Sequence, residues 1–324
     1  MASAPLLSTA LQRDSNVGGK EMTVFSVCVP TYNRPECIPQ LIDCFSQQTF
    51  ESFELIIVDD GSVEDICSLV KSLAPESLIW CCLKVENGGR ARALNKAFDK
   101  AKGELIIIFD DDDYMPPDGL ATLWHVWESI PAHDRENYWG VAGTCTDVEG
   151  RILGLPFPTE GDFSYAQWLN HGSTFGDKKE AIRTALISDF RFRVYPSERR
   201  CPTSLLFMWM SQSYRIRVTN RPCAVKTYRD DGLSKNILES RLKSVLTTQE
   251  YYRSAMRLTI DVNIMTRLRW ASNASRFFLH GLFRRGSSHR RRELKNVVVL
   301  VVGVPVGLLL WLKDLMELQK GRKK

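Results

Sequence analysis

Four aspartates stand in a row at Asp110, Asp111, Asp112 and Asp113, directly after the apolar run Leu105-Ile106-Ile107-Ile108-Phe109. Carboxylates that close repel one another and raise each other's pKa. A buried strand ending in them needs positive charge among them, and a hard divalent cation, Mg2+ or Mn2+, supplies it while also binding phosphate oxygens. Three polar groups precede this cluster. The stretch Val29-Pro30-Thr31-Tyr32-Asn33-Arg34 puts an aromatic ring, able to stack on a flat heterocycle, beside a proline-fixed backbone whose carbonyls can meet a base edge; it also reads as a plain turn. Val58-Asp59-Asp60-Gly61-Ser62 offers two carboxylates to an imide N–H or a ribose hydroxyl, with capping of the following helix as the competing use. Asn87-Gly88-Gly89-Arg90-Ala91-Arg92 opens a helix with a glycine turn whose amides can face an anion, Arg90 and Arg92 adding charge.

The elements that carry these groups follow from hydrophobic period. Short β-rich runs at 24–29, 54–58, 79–85 and 104–109 alternate with helix-length amphipathic stretches at 36–47, 63–73 and 90–101, the pattern of βαβ units around a parallel sheet. All four polar groups fall where strands end or helices begin, and ligands of such sheets bind beyond the carboxyl ends of the strands. A helix over 120–129 and a strand over 139–147 come next. Residues 150–236, rich in aromatics and arginine, are expected to complete the sheet and the second half of a cleft. Two long helices are predicted over 238–256 and 262–283.

Composition places the chain among ordinary globular proteins, with 44% hydrophobic and 25% charged residues in 324, so wholesale disorder is excluded. Net charge is +5 and unevenly spread, the tail holding Arg284, Arg285, Arg290, Arg291, Arg292, Lys295, Lys320, Arg322, Lys323 and Lys324. Between these basic groups runs an uncharged stretch, Val297–Leu312, broken by Gly303, Pro305 and Gly307. It is shorter than the ~20 apolar residues of a spanning helix and reads best as a membrane-surface or re-entrant segment, with a true span or an ordinary core helix as the competing readings. The nine cysteines have no metal-finger spacing and read as reduced, packed thiols; residues 1–22 read as a loose leader without a secretory pattern. Together these predict a cytoplasmic chain peripheral to a membrane. No nucleic-acid partner is expected.

In their order and spacing the four groups resemble glycosyltransferase family 2, the inverting enzymes of the GT-A fold, over residues 24–120, with Pro116, Pro117 and Leu120 following as in that family. The resemblance implies an α/β domain over 23–236, its nucleotide-sugar half at 23–120 and its acceptor half at 121–236, followed by a helical, basic region at 237–324. It implies a nucleotide diphosphate sugar donor, commonly UDP-linked, held at its base by Pro30, Tyr32 and Asp60, with Asn33, Asp59, Arg90, Arg92 and Asp111 nearby. Asp110 and Asp112 would form the Asp-x-Asp element that reaches the ribose and the metal, and Asp113 would support the reaction. The implied acceptor is a glycan or a lipid-linked sugar.

Inverting transfer needs a base for the acceptor hydroxyl. The stretch Ser197-Glu198-Arg199-Arg200-Cys201-Pro202-Thr203 resembles the part of the family that supplies it, but Thr203 stands where a glutamate is expected. Glu198 becomes the candidate, with Asp162 and Asp177 as rivals. Lys235, in Tyr228-Arg229-Asp230-Asp231-Gly232-Leu233-Ser234-Lys235, is expected to reach a phosphate. Thr203 also raises an alternative, a catalytically impaired subunit that binds a nucleotide sugar or a partner. A nucleotidyltransferase is disfavoured because the first strand turn lacks a glycine-rich, basic signature.

Overall fold

The computed structural model of the protein describes residues 23–171, 176–196, 198–226 and 237–283, together with 307, 310 and 311. In chain order the strands and helices are β1 (Phe25–Thr31), α1 (Ile38–Ser46), β2 (Phe53–Asp59), α2 (Ile66–Leu73), β3 (Trp80–Lys84), α3 (Arg90–Phe98), β4 (Leu105–Ile108) and α4 (Gly119–Glu128). There follow β5 (Tyr138–Thr146), β6 (Gly161–Phe163), α5 (Tyr165–His171), β7 (Lys178–Arg183), α6 (Thr184–Ile187), α7 (Ser204–Met210) and β8 (Arg215–Val225). The last three are α8 (Ile237–Lys243), α9 (Val245–Met256) and α10 (Ile264–Phe283). These elements form two compact units that interleave along the chain. The first takes 23–163, 176–192 and 214–226, and the second 164–171, 193–196, 198–213 and the described residues from 237 onward.

The first unit is one eight-stranded sheet in the order β3-β2-β1-β4-β7-β5-β8-β6. β3, β2, β1 and β4 run parallel; β7 is antiparallel to both neighbours, β5 and β8 are parallel, and β6 is antiparallel to β8. The sheet is mixed and mainly parallel, an α/β architecture of the GT-A kind that the resemblance implies, with antiparallel β6 and β7 added to the parallel units read from the sequence. All seven residues of β2 are buried, as a strand covered on both faces requires. α1 turns Leu41, Ile42 and Phe45 inward, and its Phe45 ring meets Phe109 edge-on at 5.1 Å. β1 continues through Pro30 to Thr31, two residues past its predicted end. The missing proline N–H costs little there, because the ladder to β4 has already ended at Cys28.

The turn beyond the acidic cluster is fastened to α1 by Gln48. Its amide nitrogen donates to the carbonyls of Cys44 at 3.1 Å, Met115 at 3.3 Å and Pro116 at 2.9 Å, and its oxygen accepts from Leu120 N at 3.2 Å. One side chain thus fixes both the segment after Asp113 and the start of α4.

Cysteine usage departs from the sequence reading. Cys67 on α2 and Cys82 on β3 are joined by a disulfide with Cα atoms 5.4 Å apart, because the helix packs directly on its following strand. The other seven remain thiols. Burial pushes Cys44 and Cys145 up to about 12, which removes thiolate reactivity.

In the second unit the predicted helix over 238–256 is two helices, broken at Ser244, whose φ of −121° and ψ of 60° leave the helical region. Tyr252 of α9 stacks on Phe277 of α10 at 5.8 Å, and Gln249 donates to the Phe277 carbonyl at 3.0 Å. Arg267 braces the connection by donating to the carbonyls of Leu258, Ile260 and Val262. The leader at 1–22 and the apolar run at 297–312, apart from 307, 310 and 311, lie outside the described residues. Among the described residues no helix is long and apolar enough to cross a membrane.

Replacing Gln48 with leucine keeps the bulk and strands three carbonyls and one N–H. Urea unfolding of Gln48→Leu should show a stability loss of roughly 1–3 kcal/mol, since a buried polar group left unpaired costs about that much.

Candidate functional site

The ends of β1 and β2 are clasped before any ligand arrives. Asp60 N donates to Thr31 O at 2.9 Å, Asn33 N to Ser62 Oγ at 2.8 Å, and Val63 N to Asn33 Oδ1 at 2.9 Å. Asn33 sits at φ 51°, a left-handed conformation that asparagine tolerates better than most residues. Asp59 is fully buried, with Oδ1 accepting from Ser62 N at 2.8 Å, Lys84 Nζ 3.9 Å from Oδ2, and no hydrogen bond to that second oxygen. Gly61, at φ 82°, has no room for a side chain: a Cβ there would lie 2.8 Å from Asn87 N.

Asp60 holds the glycine turn. Its carboxylate accepts from Gly88 N at 2.9 Å and Gly89 N at 2.8 Å, and Asn87 Nδ2 donates to its carbonyl at 2.8 Å. The amides that the sequence reading offered to a diphosphate are therefore occupied by an internal carboxylate. Of the two arginines assigned to that anion, Arg92 folds back onto Glu86, donating to its carbonyl at 3.3 Å, whereas Arg90 reaches Asp110 at 2.6 Å.

The four aspartates are matched by four cations of the chain itself. Arg34 Nη1 spans Asp111 Oδ1 at 2.8 Å and Asp112 Oδ2 at 3.0 Å, and Thr31 Oγ1 donates to Asp111 Oδ2 at 2.6 Å. Lys226 Nζ lies 3.1 Å from Asp110 Oδ2 and 2.7 Å from Asp113 Oδ2, and Lys179 Nζ is 3.5 Å from Asp113 Oδ2. Burial opposes ionisation of Asp110, but Arg90 and Lys226 outweigh it and hold the carboxyl far below the usual range. Burial wins at Asp111 and Asp113, whose pKa values rise despite their cationic neighbours. Lys226 is driven well above the ordinary lysine value: burial works against the ammonium, and Asp110 and Asp113 overcome it. The sequence argument required positive charge among these acids, and the chain supplies much of it from Arg34, Arg90, Lys179 and Lys226.

Room for a divalent cation remains at the outer edge. Asp112 is partly exposed and only its Oδ2 is engaged, leaving Oδ1 without a partner. Asp110 is the other solvent-facing acid of the row. Among the described residues no three acidic, histidine or cysteine side chains are grouped to hold a metal alone. This suits Mg2+ or Mn2+, which sit on one or two carboxylates and complete their shell with phosphates and water. Asp111 and Asp113, 5% and 3% exposed, are internal members of the ion-pair cluster.

The remaining assignments fall as follows. Tyr32 and Pro30 are half-buried at the end of β1. Lys235 lies outside the described residues. Glu198 caps a helix: its carboxylate accepts from Leu246 N and Thr247 N, both at 2.8 Å, and from Thr247 Oγ1 at 2.7 Å, so its lone pairs serve the start of α9 in the second unit. Asp162 is held by Tyr138 OH at 2.7 Å and Arg217 Nε at 2.8 Å at the start of β5, the end of that strand remote from Thr146 and Val225. Asp177 is exposed just before β7. Sequence reasoning passed over Glu180, three residues further on. It is half-buried, takes no hydrogen bond or ion pair from another described residue, and burial lifts its pKa from 4.5 to about 7, with Asp177 adding to the shift and Lys179 opposing it. Only the register of β7 against β4 brings it to the site, and no local motif marks that.

Parts of the sequence and the fold are similar to known proteins. Residues 26–138 match the family described as Glycosyl transferase family 2. The undecaprenyl-phosphate 4-deoxy-4-formamido-L-arabinose transferases of Yersinia pestis (strain Pestoides F) and Yersinia pseudotuberculosis serotype O:3 are 35% identical over 108 residues, 32% of this chain. The match spans 33% of those relatives' length. The structure of S. aureus TarS 1-349 in complex with UDP-GlcNAc superposes with a TM-score of 0.58 at 20% identity, covering 87% of this chain and 79% of that one. The mannosyltransferase PcManGT from Pyrobaculum calidifontis, in complex with GDP-Man and Mn2+, gives 0.55 at 18% identity, covering 91% and 80%. The fold is of the GT-A type, and the match to Glycosyl transferase family 2 covers residues 26–138, about a third of the chain.

Two outcomes follow from the buried charges. Lys226→Met leaves Asp113 buried without its closest counter-ion, and chemical denaturation at pH 8 should show a loss of about 3–5 kcal/mol, shrinking at acidic pH where a protonated Asp113 needs no partner. Glu180 acts in the opposite direction. Its folded pKa lies above 4.5, so the folded state binds the proton more tightly and wild-type stability falls as pH rises from about 4.5 to about 7. Glu180→Gln escapes this penalty, and its melting temperature relative to wild type should climb between pH 5 and pH 8.

Proposed function

We propose that this chain, through its family 2 glycosyltransferase domain, transfers a sugar with inversion from a nucleotide diphosphate donor, UDP-linked in the first instance, to a glycan or lipid-linked acceptor, assisted by Mn2+ or Mg2+. The observation that carries the reading is the outer edge of the aspartate row, where Asp112 Oδ1 stays unengaged beside acids that Arg34, Arg90, Lys179 and Lys226 hold. Asp110 and Asp112 would hold such a cation, which would supply Lewis-acid neutralisation of charge on the departing diphosphate.

The chain's own residues have separate tasks in this reading. Tyr32 and Pro30 flank the base, with Asp60 fixing the adjacent turn. Asp110 and Asp112 would hold the cation and the ribose end of the donor, while Arg90 and Lys226 keep Asp110 ionised. Arg34 fixes the spacing of Asp111 and Asp112. The acceptor oxygen attacks the anomeric carbon from the side opposite the diphosphate, the bond from that carbon to the phosphate oxygen breaks, and the electron pair leaves with the diphosphate. The PcManGT complex with GDP-Man and Mn2+ and the TarS complex with UDP-GlcNAc support the donor and metal classes by analogy. The name of the Yersinia relatives supports a lipid-linked acceptor. The basic tail at 284–324 is the feature expected to hold the chain at the cytosolic face of a membrane.

A second reading, a nucleotide-sugar-binding subunit without turnover, draws on Glu198 being committed to a helix cap. The two separate by experiment. A melting-temperature panel of UDP-sugars and GDP-mannose, with Mn2+ and with chelator, should give a metal-dependent rise, because a ligand that binds only the folded state stabilises it. Asp112→Asn should lose that metal dependence and slow transfer by about 10²–10³-fold. Binding without any release of nucleotide diphosphate points to the subunit; no metal-dependent shift with any nucleotide sugar defeats both.

A further inference from the structure

The reaction requires a base, and the structure disposes of several carboxylates. Glu198 is spent on the α9 N-terminus. Asp162 is locked between Tyr138 and Arg217, and Asp113 lies beneath Lys179 and Lys226. Asp60 is occupied by Gly88 and Gly89.

Asp177 is exposed before β7 and already has a partner; Glu180 remains, and the sheet places it. The β4–β7 ladder pairs Ile107 with Ala181, which sets Glu180 beside Ile108, two residues before Asp110. On β5 its partner is Ala142. Side chains alternate along a strand. Ala181 enters the core with Ile107 and Phe109, and Lys179 Nζ stands over the Phe109 ring at 4.5 Å, so Glu180 projects from the other face. That is the face on which α3 lies, from which Arg90 reaches Asp110. The charged and titratable groups around it are Asp177, Lys178 and Lys179 on its own segment, Lys226 after β8 and Cys145 on β5. None of them bonds its carboxylate, whose hydrogen bond comes from its own backbone N–H, so acceptor capacity is left for a substrate at the carboxyl end of β4.

We propose that Glu180 is the general base of the transfer, the group that takes the proton of the acceptor hydroxyl as that oxygen attacks the anomeric carbon. This rests on the sugar-transfer reading above. In the step the acceptor O–H bond breaks toward a Glu180 carboxylate oxygen, the new bond forms at the anomeric carbon, and the electron pair of the old bond departs with the diphosphate. The raised pKa of Glu180 suits a base that works near neutrality.

The test uses the full chain, the nucleotide sugar from the panel that gives the largest melting shift, Mn2+, and release of nucleotide diphosphate with water as acceptor. Glu180→Gln should keep the donor-induced shift and lose rate by about 10²–10⁴-fold, the range for removing a general base. Wild-type rate should rise with pH through an ionisation near 7, a limb that Glu180→Asp retains and Glu180→Gln lacks. Formate should restore part of the rate to Glu180→Ala. A Glu180→Gln variant that holds the donor and turns over within about threefold of wild type overturns the assignment, as does a Glu180→Ala variant that formate leaves unchanged. If wild type shows no shift with any nucleotide sugar, the parent reading fails first and the assignment falls with it.

Discussion

The structure depends on the mutual neutralisation of Asp110–Asp113 by Arg34, Arg90, Lys179 and Lys226 at the carboxyl end of β4. Desolvation alone makes four adjacent carboxylates at the tip of a buried strand untenable. The cations come from four places in the sequence: the turn after β1, the start of α3, the start of β7 and the residue after β8. Satisfying the acids therefore ties together the two parallel strands at the centre, the antiparallel strand beside them and the last strand of the sheet.

This arrangement divides labour within the row. Asp111 and Asp113 are structural anions, buried and paired, whereas Asp112 is partly exposed with Oδ1 unengaged by the described residues. The division follows strand alternation and local turn geometry, which send neighbouring residues in different directions. A similar economy operates at Asp60, which holds the glycine turn shut and leaves positive charge at the site to side chains.

Much of this was legible in the sequence, and the boundary is physical. The βαβ alternation through β4 is encoded locally in hydrophobic period and turn residues, so the parallel half, the acidic tip and the Tyr32 and Asp60 turns were readable with ends displaced by a few residues. What the sequence withheld is set by pairing between distant segments. Lys226 meets Asp110 across 116 residues, and Lys179 meets Asp113 across 66. Glu180 sits in an unremarkable Lys-Lys-Glu-Ala run, and Glu198 turns out to serve a helix 48 residues away. The disulfide between Cys67 and Cys82 was missed for the same reason: spacing along the chain carries no signal of a helix lying on its following strand.

The strand order has a consequence for how the chain is made. β8 lies between β5 and β6, and β6 pairs only with β8 among the described residues. On a ribosome, therefore, residues 161–163 leave the exit tunnel with no edge to join, and more than fifty further residues must emerge before one exists. The parallel half can consolidate early from near neighbours and β7 can join β4 and β5 once made, while β6 waits for β8, the last strand among the described residues, a long-range closure of the kind that slows folding.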